Sequence, residues 1–265
     1  MNNLATTSPG DLTAHVSRLL EKYGKPAPQE WRLLPSLPPS CEGALTLVPG
    51  WTLPEAEPEA LLPLLPWRME RRFQELRRII ENQTLESLSM CRFSCLTDGR
   101  EMDLAAVLYR EFDLAEWLTG STIVAVTASM QGNRWANVVL KMASGVLCGV
   151  EAGAALPPGA AMLDRHELIA RRGVACDRLV DSQVPQSSVY TFTGAGSAQY
   201  TDTDAELFGL EQAGINLVRA AYDALVNGHQ PEALRRQHRR LAGLVRLALE
   251  SDRRGERLIT EELLP

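Results

Sequence analysis

Apolar residues change their spacing along this chain, and the changes mark its elements. In "MERRFQELRRIIENQ" (69–83), Phe73, Leu76, Ile79 and Ile80 recur at helical intervals. Arg71, Arg72, Arg77 and Arg78 fall on the other side, which predicts an amphipathic helix with its arginines toward water. Strand-like runs follow: "SLSMCRFSCL" (87–96), "STIVAVTASM" (121–130), "WANVVLKMA" (135–143) and "GVLCGVEAGA" (145–154). "HELIARRGVACDRLV" (166–180) reads as two strands about Gly173, and "SVYTFTG" (188–194) as one more. Short, glycine-bearing joints such as "QGNR" and "SG" suit antiparallel hairpins.

Within "EFDLAEWLTG" a short helix is expected over Asp113–Leu118, with Leu114 and Trp117 turned inward and Gly120 as its stop. Two helices close the chain. In "DAELFGLEQAGINLVRAAYDALVNG" Leu207, Leu210, Gly214, Leu217, Ala221 and Leu225 share a face, and Asn227–Gly228 offers a left-handed cap. "QPEALRRQHRRLAGLVRLALES" (230–251) opens on Pro231 and turns Leu234, Leu241, Val245 and Ala248 inward, and "ERLI" (256–259) can add an edge strand.

Residues 1–66 are different. "DLTAHVSRLLEKYG" predicts a helix that buries Leu12, Val16, Leu19 and Leu20, capped by Ser8 or Asp11 and stopped by Gly24. Proline then dominates in "KPAPQEW", "PSLPPS" and "LPEAEPEALLPLLPW", and predicts a wrap rather than an independent core. The fold class expected is α+β, with a large open, mostly antiparallel sheet and helices on one face, over 67–265.

Composition narrows the function. Of 265 residues, 45% are hydrophobic and 23% charged, as in an ordinary globular protein. A net charge of −6 repels polyphosphates and anionic lipid, so neither nucleic acid nor membrane is expected as a partner. The arginines of "RRQHRR" (235–240) are read as the solvated face of a helix without aromatic residues for base stacking. No apolar run approaches a spanning length and the N-terminus lacks a secretory pattern, so a cytoplasmic location is expected. Cys91 and Cys95 share a sheet face roughly 13 Å apart, too far for a disulfide, and read as inert buried thiols. His15, His166, His229 and His238 are scattered without ligand spacing, so no metal is expected. "GAGSAQ" (194–199) is read as a loop, because no helix follows its glycines.

From about residue 67 to 260 the chain resembles the substrate-binding domain of the Gfo/Idh/MocA family of NAD(P)-dependent sugar and polyol oxidoreductases. The resemblance rests on "RFQELRRIIENQTL", "FDLAEWLTGSTIVAVTA", "NVVLKMASGVLCGVEA", and the closing "ALVNGHQPEAL" and "LALESDRRGERLI". It implies that the "DLAEWLTG" helix lies at an active-site mouth and that the sheet behind it forms subunit contacts. "ATTSPGDLTAHVSRLLEKYGKP" is similar to the second half of the family's nucleotide-binding domain, which makes 1–66 a Rossmann remnant by this resemblance.

The family's chemistry does not carry over residue by residue. There is no G-x-G-x-x-G turn to cradle a pyrophosphate. Counting from Gly24–Lys25, the lysine that assists proton transfer falls at Trp31, although Lys22 or Lys25 enters under a shifted alignment. Aligned on "FDLAEWLTG", the family's aspartate falls at Ala106 and its histidine at Arg110; a three-residue slip brings in Asp103 but still no histidine. An always-protonated guanidinium cannot take a proton.

The leading expectation is therefore a truncated, non-catalytic relative that binds a sugar-like ligand or serves assembly, with no cofactor for this chain alone although NAD(P) is the family's. Its candidate pocket residues are Arg110, Asp113 and Trp31. The alternative is an enzyme acting on a sugar or polyol derivative through a rewritten site, in which Arg110 clamps an anionic group and Asp113 or Glu111 assists, or one whose NAD(P) comes from a partner chain. "TIVAVTAS" and "NVVLKMASGVLCGV" carry apolar residues on both alternations, so a homodimer or homotetramer through the sheet face is expected, or pairing with an intact family member.

Overall fold

The computed structural model of the protein describes residues 9–28, 30–38, 44–55, 58–177, 188–193, 196–201, 210–227 and 231–260. The first half holds α1 (Pro9–Lys22), β1 (Trp31–Leu33), β2 (Leu45–Pro49), β3 (Leu61–Leu64), α2 (Arg71–Glu81) and β4 (Leu88–Leu96). Then come α3 (Leu104–Thr119), β5 (Ile123–Gln131), β6 (Trp135–Met142), β7 (Leu147–Gly153), β8 (Leu163–Ala170) and β9 (Gly173–Cys176). β10 (Ser188–Thr193), β11 (Gly196–Thr201), α4 (Gln212–Val226), α5 (Pro231–Arg254) and β12 (Leu258–Ile259) complete the order. Two compact units emerge, Met1–Glu70 with Thr203–Arg239, and Arg71–Asp202 with Arg240–Pro265. The first thus takes in a stretch that the sequence analysis assigned to the sheet domain.

In the first unit, β1, β2 and β3 form a sheet in that order with every pairing parallel. The strands succeed one another without an α-helix between them among the described residues. Contrary to the expected wrap, this region has a core of its own. Leu12, Val16 and Leu20 of α1 meet Leu33, Leu47 and Leu62 of the sheet and Ile215, Val218 and Ala221 of α4. The prolines are tolerated by position: Pro49 closes β2, and Pro63 sits on the edge strand β3, where a ladder donor is dispensable. α1 ends as anticipated near Gly24, whose φ of 59° is left-handed; the proposed cap Ser8 lies outside the described residues. Asn227 is not the left-handed residue expected after α4, since its φ is −85°, and Gly228 lies outside the described residues.

The second unit is a nine-stranded sheet in the order β11-β10-β9-β8-β4-β7-β6-β5-β12. Only β4 and β7 run parallel, so the sheet is mostly antiparallel. The described part of "GAGSAQ" is strand rather than the expected loop: Gly196 opens β11, which pairs antiparallel with β10, and 194–195 lie outside the described residues. The α3 helix packs against β4, β5, β6 and β7. It is four turns long rather than a short segment, because Asp103 caps it by accepting from the Ala106 N–H at 2.9 Å. Gly120, at φ 61°, ends it.

The edge of β5 is protected by the end of α5. Ser251 Oγ accepts from the Ala128 N–H at 3.0 Å, and an Asp252 carboxylate oxygen accepts from the Met130 N–H at 2.7 Å. From β4 to β8 one alternation is buried. The other is mixed rather than apolar: β6 exposes Asn137, Val139 and Lys141, and β7 exposes Leu147 and Glu151. The four described cysteines, 91, 95, 148 and 176, are buried free thiols.

Candidate functional site

Polar residues occupy inward positions at one place in the sheet unit. Strand alternation turns Asp164, His166 and Leu168 of β8 to the buried side. Asp177 follows the end of β9, Arg72 lies in the first turn of α2, and Arg110 and Glu111 lie midway along α3. These six side chains close a ring of alternating charge. Arg72 donates to both oxygens of Asp164, at 3.0 and 2.6 Å, and to Asp177 Oδ2 at 3.0 Å. Arg110 donates through Nη2 to Asp164 at 2.8 Å and through Nη1 to Glu111 at 2.5 Å. His166 bridges the remaining gap, with Nε2 2.9 Å from Glu111 and Nδ1 2.8 Å from Asp177. The His166 N–H donates to the other Asp177 oxygen at 2.7 Å.

An imidazole with a carboxylate at each nitrogen must donate from both, which only the imidazolium does. The ring then holds three cations and three anions. Burial alone would lower the pKa of His166, but the charges of Glu111 and Asp177 outweigh it and push the group from 6.5 up to about 9. Burial likewise acts to raise Glu111 and Asp164, yet their cationic neighbours win. Glu111 is lowered by His166 and Arg110, and Asp164 by Arg72 and Arg110. Phe73 lines the ring, with its own ring 4.7 Å from the imidazole and the guanidinium of Arg72 4.3 Å from its centroid. Burial raises the pKa of the neighbouring Cys95 thiol well above its ordinary value, so it is a poor nucleophile.

The residues singled out from sequence fall into two groups. Arg110 and Asp113 both lie in α3 and both are buried, at 2% and 0% exposure. Trp31 belongs to the other unit, where it opens β1 and packs half-buried against the apolar core. Asp103 is spent on the cap of α3, and Ala106 is buried beside it. Of the four arginines of "RRQHRR", Arg236 and Arg239 are exposed as expected, Arg239 pairing with Glu232, while Arg235 donates to the Glu59 carbonyl and Arg240 pairs with Glu116. His238, only 1% exposed, meets the Pro54 carbonyl at 2.9 Å.

Sequence reading missed His166, Asp164, Asp177 and Arg72. Arg72 was assigned to the water side of α2, but its side chain is only 13% exposed, because two carboxylates draw it inward. One signal was available in "LDRHEL": an aspartate and a histidine two apart share one strand face with an inward leucine.

A dinucleotide needs backbone N–H groups converging where a strand turns into a helix. Among the described residues, no strand of the parallel sheet leads directly into an α-helix within its own unit; β2 leads into a single 3-10 turn at Gly50–Thr52. Among the same residues no group of His, Cys, Asp or Glu is arranged to hold a metal ion, and no helix is long and apolar enough to cross a membrane.

No protein-family model and no curated protein matches the sequence. Solved structures do. An oxidoreductase domain protein from Kribbella flavida aligns at a TM-score of 0.65 and 13% identity, over 82% of this chain and 74% of its own. An oxidoreductase from Agrobacterium radiobacter, in complex with NAD+, L-tartaric acid and magnesium, aligns at 0.63 and 14% identity over 98% of this chain and 80% of its own.

The chain has the fold of Gfo/Idh/MocA-type oxidoreductases. Levoglucosan dehydrogenase, in complex with NADH and levoglucosan, shares this fold at a TM-score of 0.58 and 13% identity, over 74% of this chain and 65% of its own. Against an oxidoreductase and a dehydrogenase from Thermotoga maritima, the chain spans 63% and 66% of their length. At such identities the likeness is one of fold, so chemistry has to be argued from the side chains.

Proposed function

We propose that this oxidoreductase-fold chain is a non-catalytic subunit that binds no NAD(P) by itself and assembles with a second copy through its sheet. The observation that carries the reading is Arg110. It stands where the resemblance places the proton-transferring histidine, it is 2% exposed, and its guanidinium bonds Glu111 and Asp164. A permanent cation held in this way neither accepts a proton nor turns toward a substrate. Asp113 is equally buried, which weighs against the rewritten-site alternative.

The open face of the sheet supports assembly. Met90, Val139, Leu147 and Leu163 are exposed there at 38–48% of their surface, among charged neighbours. Calorimetric titration with NAD+ and NADP+, followed by turnover assays on a panel of sugars and polyols, tests the reading. No heat, no turnover and a dimeric mass by light scattering are expected. Nicotinamide-dependent oxidation of any sugar by the purified chain would overturn it.

A further inference from the structure

Independently of the assembly reading, we propose that Cys91 and Cys148 form a redox staple. This thiol pair closes to a disulfide, joining β4 to β7, when oxidised glutathione accepts its electrons. Strand register carries the argument. At the parallel seam of the sheet, Cys91 of β4 is the direct partner of Cys148 of β7. Neighbouring strands lie about 4.8 Å apart, inside the roughly 4.4–6.8 Å between Cα atoms that a disulfide spans. Both cysteines are at 0% exposure, so their side chains share the buried face. The Cys91 thiol is within hydrogen-bonding reach of Cys148 Sγ.

The surroundings single out this pair. Across β8, β4, β7 and β6 the row reads Leu168, Cys91, Cys148, Leu140, and both leucines are fully buried. They hold the sulfurs side by side in a dry site. Cys95 instead faces Ala152 and Asp164, and Cys176 faces Glu167 and Tyr190, so neither has a cysteine across its ladder. A bond between Cys91 and Cys148 lies wholly within the sheet unit and closes a loop that takes in α3, β5 and β6, which restricts the unfolded chain.

Closure takes two exchanges. One cysteine thiolate attacks a sulfur of oxidised glutathione and expels one glutathione thiolate; the second cysteine thiolate then attacks the mixed disulfide and expels the other. The protein gives up two protons and two electrons, and one protein disulfide and two glutathione thiols result. In the native state this chemistry is shut off. Burial foremost, then the Cys91 thiol and the charge of Glu111, hold the Cys148 thiol well above its ordinary pKa, so thiolate is scarce. Exchange therefore runs through opening of the sheet unit, and the same packing shields the finished bond from reductant.

Refolding of the reduced full chain in glutathione buffers of graded ratio tests the staple, since the bond can then form before the thiols are enclosed. After acid quenching and alkylation of free thiols, tryptic mass mapping reads the linkage, because Arg92 puts a cut between Cys91 and Cys95. The same buffers with concentrated guanidinium chloride give the unfolded reference. The folded chain should favour the bond between Cys91 and Cys148 at least about tenfold over the unfolded chain. Cys91→Ala and Cys148→Ala should each abolish it; should either variant fail to fold, the wild-type map alone decides. A folded-state preference no greater than the unfolded one, or a bond to Cys95 or Cys176 in its place, overturns the proposal.

Discussion

The two units of this chain are stabilised by opposite means. Around the parallel sheet the buried side chains are almost all aliphatic, and every buried Asp, Glu or Arg among the described residues belongs to the other unit. There a six-membered ion ring joins α2, α3, β8 and the end of β9. Aliphatic burial is non-directional and indifferent to pH. A buried ring of charge fixes which element lies where, but holds only while each member keeps its charge. The helix α3, which the resemblance was expected to put at an active-site mouth, here supplies two of the ring's members.

The sharpest way to break this contrast is to remove one cation. Arg110→Met leaves Glu111 and Asp164 under-compensated in a buried site, and should destabilise the sheet unit by about 3–5 kcal/mol in chemical denaturation. Leu47→Ala, in the core of the parallel-sheet unit, should cost about 3 kcal/mol through cavity formation, and the loss should be the same at pH 6 and pH 9. If it varies with pH, the contrast between the units is wrong.

Proton linkage sharpens the comparison further. The pKa of His166 rises on folding from 6.5 to about 9, so the folded state binds more protons between those values. Its stabilisation is complete below about pH 6.5 and is lost as pH climbs through about 9, by roughly 3 kcal/mol. The depressed Glu111 and Asp164 act with the opposite sign, contributing stability above their ordinary range and losing it as pH falls. Thermal melts from pH 4 to 10 should show this dome for the sheet unit, and His166→Gln should flatten its alkaline side. The smallest expected effect is local: Asp103→Ala removes the cap of α3 and should cost about 1 kcal/mol, measured by urea titration.

Much of the architecture was legible because it rests on local spacing. The hairpins about "QGNR" and "SG", the stop at Gly120, and the strand pair around Gly173 follow from turn chemistry within a few residues. The parallel sheet escaped notice because its strands are only three to five residues long and one contains Pro63, so neither periodicity nor composition marks them. The ring was hidden for another reason. Arg72 and Asp164 are 92 positions apart, and Glu111 and His166 are 55 apart, so only the completed sheet brings them together. Arg110 was noticed for the residue it replaces; its partner Glu111 is the next residue, but its other partner Asp164 is 54 positions away and could not be read from there.

The central claim, that a charge-neutral ion ring occupies the interior where the resemblance puts a proton-transfer histidine, turns on the state of one imidazole. Nitrogen-15 NMR of histidine-labelled protein at pH 7.5 reads it directly. The account predicts that His166 has both ring nitrogens protonated and stays so until about pH 9. A neutral His166 tautomer at pH 7.5 would contradict it.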